Sequence, residues 1–219
     1  MRKLSAVLLA VLLFLGPAAS VAGETPAWSV KPPKTEKVIA EETKVVRWEG
    51  STDLDMLKQV RSDLESATAK DSKIKVLKVY LASGGGPVIT SLEIARLIRA
   101  ASDKGLIVEV HGEMLVASGG TFVLAAGTPG RRYVSKSALV LVHGVQAGGY
   151  GGGSCKDYVA EPKTEDDKAI NAILRLLRNA YVLYTKKPVA EVEKWLTCGN
   201  EQVGAGDLAV TLGLADKVE

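Results

Sequence analysis

The chain has 219 residues, 47% hydrophobic and 24% charged, which suits one domain of ordinary size and excludes a disordered chain. Lys and Arg total 28 against 25 Asp and Glu, so there is no basic excess to argue for nucleic acid as a partner. The glycines gather at 84–86, 119–120 and 148–153, which excludes a collagen-like repeat and marks places where the backbone turns sharply or approaches a neighbour closely.

The first segment reads as a leader. Arg2 and Lys3 precede an apolar run from Ala6 to Leu15, Gly16-Pro17 breaks it, and Ser20-Val21-Ala22 supplies the small residues of a cleavage site. Cleavage after Ala22 is expected. It would leave a mature protein exported from the cytoplasm, periplasmic in placement, with a formal net charge of +1 once Arg2 and Lys3 are lost. The apolar run is shorter than the roughly 20 residues of a spanning helix. Residues 23–43 are polar, contain Pro26, Pro32 and Pro33, and read as a linker or arm ahead of a domain at 44–219.

Within that domain Lys44 to Trp48 is β-like, and Asp53 to Ala69 repeats Leu54, Leu57, Val60 and Leu64 at helical spacing. A strand over Ile74–Leu81, a glycine turn, a helix over Val88–Ser102 and a strand over Leu106–Val110 follow. This alternation predicts an α/β fold with a parallel sheet and crossover helices. A short helix over Gly119–Ala126 is ended by Gly127-Thr-Pro-Gly130, and Ala138–Val142 is a continuous apolar strand of the doubly buried kind, ending at His143. The Gly-rich stretch from Gly144 to Pro162 is too long for an ordinary connection and reads as a functional loop. Thr164, with Asp167 three residues on, reads as an N-cap. Ile170, Ile173, Leu174, Leu177, Tyr181 and Tyr184 then form one apolar stripe that packs on the core or on another subunit. Helices over Pro188–Leu196 and Asp207–Leu212 follow, the second closed by Gly213.

Cys155 and Cys198 are the only cysteines, with no CxxC or His-rich companion. No metal or other cofactor is expected, and an oxidising compartment favours a disulfide between them over two separate buried thiols.

Chemistry is expected just beyond predicted strands, where open α/β sheets bind ligands. Three such segments are Ala82–Val88, Gly112–Gly120 and Leu141–Gly144. Acyl transfer needs a nucleophile, a base and donors aimed at the developing oxyanion. Ser118 stands at the predicted start of a helix, where free backbone N–H groups and the positive dipole end favour negative charge. His143 supplies an imidazole, a group suited to base catalysis near neutral pH. Gly84-Gly85-Gly86 can present a further N–H with no side chain in the way.

Val79-Tyr-Leu-Ala-Ser-Gly-Gly-Gly-Pro-Val-Ile-Thr90 resembles the glycine turn of the Clp protease proteolytic subunit family, in the crotonase-like superfamily. Val116-Ala-Ser-Gly-Gly-Thr-Phe-Val-Leu-Ala-Ala-Gly127 is similar to its nucleophile segment, and Leu141-Val-His-Gly144 to its histidine segment, with the family's 25-residue step from Ser118 to His143. Gly213-Leu-Ala-Asp216 also fits. The resemblance spans roughly residues 74–218. It implies a core of repeated ββα units in a spiral, with a parallel sheet and C-terminal helices. Ser118 would be the nucleophile, His143 the general base, and Gly86 and Gly119 the oxyanion donors. A peptide or unfolded protein would be the substrate, held as an added strand. Thr164–Lys186 would correspond to the subunit-contact helix of ring-forming relatives, hence a homo-oligomer.

The chain departs from the family where its acid should lie. Cys198-Gly-Asn-Glu-Gln202 contains no aspartate, and the position falls on Asn200 or Glu201, with Asp157 an outside candidate. Asn200, the residue assigned to the third role, can orient a histidine without supplying charge. Pro87 and the loop Ala147–Ser154 have no clean counterpart. A Ser-Lys dyad with Lys136 or Lys156 as base is a second enzymatic reading, and a binding or assembly protein without turnover is a third.

Overall fold

Alternating burial in the first two strands shows how the sheet is set against its helices. In β1 (Thr43–Ser51) Trp48 is buried while Val45, Arg47 and Glu49 face outward, and in β2 (Val76–Gly85) Leu77, Val79, Leu81 and Ser83 all point inward. The computed structural model describes residues 42–147 and 153–219. The expected leader, the arm through residue 41 and the tip of the Gly-rich loop lie outside them. The described residues belong to one compact unit, Lys37–Glu219, and no described helix is long and apolar enough to cross a membrane.

The architecture is α/β with a mostly parallel central sheet of seven strands. Helix α1 (Leu54–Thr68) starts at Asp53, whose carboxylate accepts from the N–H groups of Asp55 and Met56, and it buries Met56, Val60, Leu64 and Ala67 at helical spacing. Helix α2 (Val88–Asp103) follows the glycine turn. It leads to β3 (Ile107–Ala117), which is longer than the expected Leu106–Val110. The sequence pattern breaks there because β3 carries a bulge: Leu81 pairs with Gly112 and Ser83 with Val116, so two extra residues are looped out of β3. Met114, at φ +50° and 78% exposed, occupies the bulge.

The bulge divides β3 between two neighbours. Its first half pairs with β4 (Arg132–Val134), and its second half, Leu115–Ala117, with β5 (Leu139–Val142), both parallel. Helix α3 (Gly119–Ala126) leaves β3 directly, and all eight of its residues are buried. A short hairpin, β6 (Val145–Ala147) and β7 (Ser154–Lys156), occupies part of the segment expected to be a loop. Helix α4 (Glu165–Thr185) opens with a full capping box between Thr164 and Asp167. Its stripe packs on the core, with Leu174, Leu177 and Tyr181 buried.

Helix α5 (Val189–Leu196) leads to β8 (Gln202–Gly204), which runs antiparallel to β5. Helix α6 (Gly206–Thr211) ends at Gly213, φ +75°, and β9 (Lys217–Val218) adds to β4. The strands β4, β8 and β9, at two or three residues each, are too short to show a period in sequence.

Candidate active site

The carboxyl ends of β1, β2, β3 and β5 bring the three sequence segments together. Ser118 joins β3 to α3 at φ +50°, ψ −122°, a backbone conformation that L residues rarely adopt and that costs about 1–3 kcal/mol. Three bonds impose it. The Ser118 N–H donates to the Leu141 carbonyl (2.8 Å), and the Ser118 carbonyl accepts from the Thr121 N–H (3.0 Å) and the Thr121 Oγ1 hydroxyl (2.6 Å). The half-buried side chain therefore stands at the amino end of α3, where the first-turn N–H groups lack helical acceptors.

Over this elbow lies the glycine turn. Gly85, at φ +90°, sits where a β-carbon would fall 2.6 Å from the Gly119 nitrogen, so the turn and the first N–H of α3 are in direct contact. Buried hydroxyls brace the turn from beneath. Ser83 Oγ donates to the Gly50 carbonyl (2.6 Å) and accepts from the Gly85 N–H (3.1 Å), while the Thr52 N–H donates to the Gly85 carbonyl (3.0 Å). Thr52 Oγ1 and Ser91 Oγ are 2.7 Å apart, and Ser91 Oγ donates to the Pro87 carbonyl. Pro87 thereby caps the start of α2 against this network. A β-carbon on Gly119 would meet Ser91 and Thr52, so this position too requires glycine.

His143 lies one residue past β5. Since Ala117 pairs with Leu141, the parallel register sets Ser118 and His143 at adjacent strand ends. The imidazole Nδ1 is 2.6 Å from the carbonyl of Gly144, which fits a proton on Nδ1 and a lone pair on Nε2. Among the described residues no hydrogen bond joins Ser118 Oγ to His143. Gly144 is pressed against the end of α5, since a β-carbon there would fall 2.3 Å from the Leu196 carbonyl oxygen and 3.6 Å from Cys155 Sγ.

Cys155 and Cys198 form a disulfide, with 5.8 Å between their Cα atoms. Asp157 reinforces it by accepting from the Cys198 N–H at 2.8 Å. Together they tie the hairpin after His143 to the turn before β8. That turn carries Asn200 and Glu201. The Asn200 N–H donates to Thr197 and its carbonyl accepts from Gln202, and no hydrogen bond joins its side chain to His143 among the described residues. Val142 pairs with Gln202 in the antiparallel ladder, so the register continues to His143 opposite Glu201. The Glu201 carboxyl is held below the usual range by its own N–H, by the Gly199 N–H at 3.2 Å and by the neighbouring His143.

Lys136 and Lys156 are exposed, and the Lys156 charge bears on Asp167 at the start of α4. The other histidine, His111, is buried between Tyr80 and Tyr133 with Nδ1 2.5 Å from Glu219 and Nε2 2.8 Å from Glu109. Both its nitrogens are engaged. Burial pushes the Glu109 carboxyl up, but His111 and Lys78 more than offset this and leave it below the usual range.

Sequence reasoning singled out Ser118, His143 and the glycines but missed Thr52, Ser83, Ser91 and the pair Thr121 and Tyr181. These are ordinary Ser, Thr and Tyr until burial makes each hydroxyl seek a partner. One signal was available: Gly50-Ser51-Thr52 also lies at the end of a predicted strand. Among the described residues no cluster of His, Cys, Asp and Glu is arranged to hold a metal ion. A family model described as Clp protease matches residues 36–219 of the chain.

Proposed function

Because the chain belongs to the Clp protease family, we propose that it is an exported serine peptidase that cleaves peptide or unfolded protein substrates through an acyl-enzyme. The observation that carries this reading is the strained Ser118 elbow, set under a glycine turn and beside the strand end that bears His143.

Ser118 Oγ attacks the carbonyl carbon of the scissile bond while its proton passes to His143 Nε2. The oxygen that gains charge is held by the Gly86 and Gly119 N–H groups. Collapse expels the amine, which takes the proton from His143. Water, deprotonated by the same imidazole, then opens the ester and returns Ser118. The Gly144 carbonyl orients the ring, and Glu201 takes the third role. Supporting Glu201 in the third role are the ladder register, which runs on from Val142 and Gln202 to set it opposite His143, and the lowering of its carboxyl by the neighbouring His143. Asn200 makes no bond to the ring, and Asp157 is engaged by the Cys198 N–H.

Export after cleavage at Ala22, with periplasmic placement, is supported by the leader pattern and by the Cys155–Cys198 pairing. Intact mass of the secreted protein starting at Gly23 checks it, and a mass starting at Met1 sinks it. Assembly as a homo-oligomer is supported by family membership and by the exposed Leu176 and Leu183 on α4.

The experiment is covalent labelling by a fluorophosphonate probe with hydrolysis of a fluorogenic peptide. Wild type labels and cleaves, and Ser118→Ala does neither. Equal labelling of that variant removes Ser118 from the nucleophile's role. A second reading, a peptide-binding or assembly protein without turnover, is favoured by the missing Ser118–His143 hydrogen bond and by a carbonyl in place of a carboxylate on Nδ1. Peptide binding with neither cleavage nor labelling would select it.

A further inference from the structure

Ser118 does not hold its strained backbone alone. Thr121 Oγ1 gives its single proton to the Ser118 carbonyl at 2.6 Å, and Tyr181 OH lies 2.7 Å from that same Oγ1. A hydroxyl has one proton to donate, so Tyr181 must be the donor to Thr121. A chain of two hydroxyls therefore runs from the carboxyl-terminal part of α4 to the nucleophile's carbonyl, with Thr121 0% and Tyr181 1% exposed. Phe122 and Trp195 fix the Tyr181 ring, with centroids 4.3 and 6.1 Å away.

We propose that Thr121 and Tyr181 are positioning residues that hold the Ser118 elbow, so that the seating of α4 sets how well the nucleophile is aimed. The inference rests on the serine-hydrolase reading and deepens it. Rotation at Ser118 would swing Oγ away from its partners, and small misplacements of a reacting group are costly in rate. The hydroxyl chain opposes that rotation from the carbonyl side, as Leu141 does from the nitrogen side.

Structural and positioning roles separate in the double variant Thr121→Val/Tyr181→Phe. Replacing both partners of a buried hydrogen bond by apolar groups of the same shape is nearly neutral for stability, whereas removing one leaves the other unsatisfied. The double variant should melt close to wild type yet label with fluorophosphonate about tenfold more slowly, the factor expected for one lost hydrogen bond in the aim of the nucleophile. Thr121→Ser, which keeps the hydroxyl, should label at the wild-type rate. A folded double variant that labels at the wild-type rate overturns the proposal.

Hydrogen exchange at the Thr121 amide, which donates to the Ser118 carbonyl, reads the same clamp without any activity. It should quicken in the double variant, and unchanged exchange also overturns the proposal. Quickened exchange in a protein whose wild type never labels would leave the clamp standing and remove only the hydrolase reading.

Discussion

Gly85 lies so close to Ser118 that a β-carbon on the glycine would stand 2.5 Å from the serine's own β-carbon. The same added atom would fall 2.8 Å from the Ala117 carbonyl, so the obstacle includes backbone that cannot swing aside. At φ +90° the position also disfavours any L side chain. Gly85→Ala should therefore destabilise by about 2–4 kcal/mol in sum and abolish probe labelling. Urea unfolding and labelling check it, and an alanine variant of wild-type stability would contradict the close packing.

The strain at Ser118 carries the opposite sign. Ser118→Gly relieves a left-handed φ and should raise stability by about 1 kcal/mol, while Ser118→Ala keeps the strain and should not. Thermal melting of the two variants side by side separates relief of strain from loss of the hydroxyl.

Gly144 makes the equivalent test behind His143. Its missing side chain lets the Leu196 carbonyl approach, and Gly144→Ala must displace either the strand end or α5. The expected result is a loss of about 1–3 kcal/mol from overpacking, with labelling at Ser118 slowed far more than in a surface variant of equal stability. Equal labelling in the two would show that His143 is placed by other contacts.

The disulfide closes the chain between residues 43 positions apart. In the chain-entropy account such a loop stabilises by up to about 4 kcal/mol. The variant Cys155→Ser/Cys198→Ser should lose a comparable amount, measured by denaturant unfolding. Reducing agent should lower the melting temperature of wild type and leave the variant unchanged.

Arg132 is a buried hub. It donates to Asp216 through Nε (3.0 Å) and Nη2 (2.6 Å), and through Nη1 to the carbonyls of Ala125, Tyr184 and Gly213. Burial pushes the Asp216 carboxyl up, but the Arg132 bonds outweigh it and hold the group below its ordinary 3.8. A depressed carboxyl contributes stability above its unfolded pKa and loses that contribution as pH falls through the lower folded value. Acid unfolding should therefore steepen below about pH 4, the ordinary carboxylate range. Asp216→Asn should remove that limb and cost about 3 kcal/mol at neutral pH by stranding the guanidinium. A variant whose acid limb matches wild type would place the acid-labile group elsewhere.

Local signals were enough for much of this molecule. Thr164 announced a helix start because capping is settled by neighbours within four residues, whereas the Asp53 cap of α1 emerged from the structure. The apolar spacing of α4 was legible because one face meets the core; in α1 Val60 and Leu64 follow the expected spacing and are buried, whereas Leu54 is exposed and Met56 and Ala67 complete the buried face instead. Ser118, Gly119 and His143 stood out as rare chemistry past strand ends. Other features depend on residues far apart in the chain. The bulge at Met114 exists because β3 serves β4 on one half and β5 on the other, and the pairing of Val142 with Gln202, next to His143 and Glu201, arises from an antiparallel β8 too short to show a period. The link from Tyr181 to Ser118 spans 60 residues to reach Thr121. Neighbours along the chain dictate caps and periodicity, whereas register and the partners of buried hydroxyls are chosen only when separate segments pack and water is excluded.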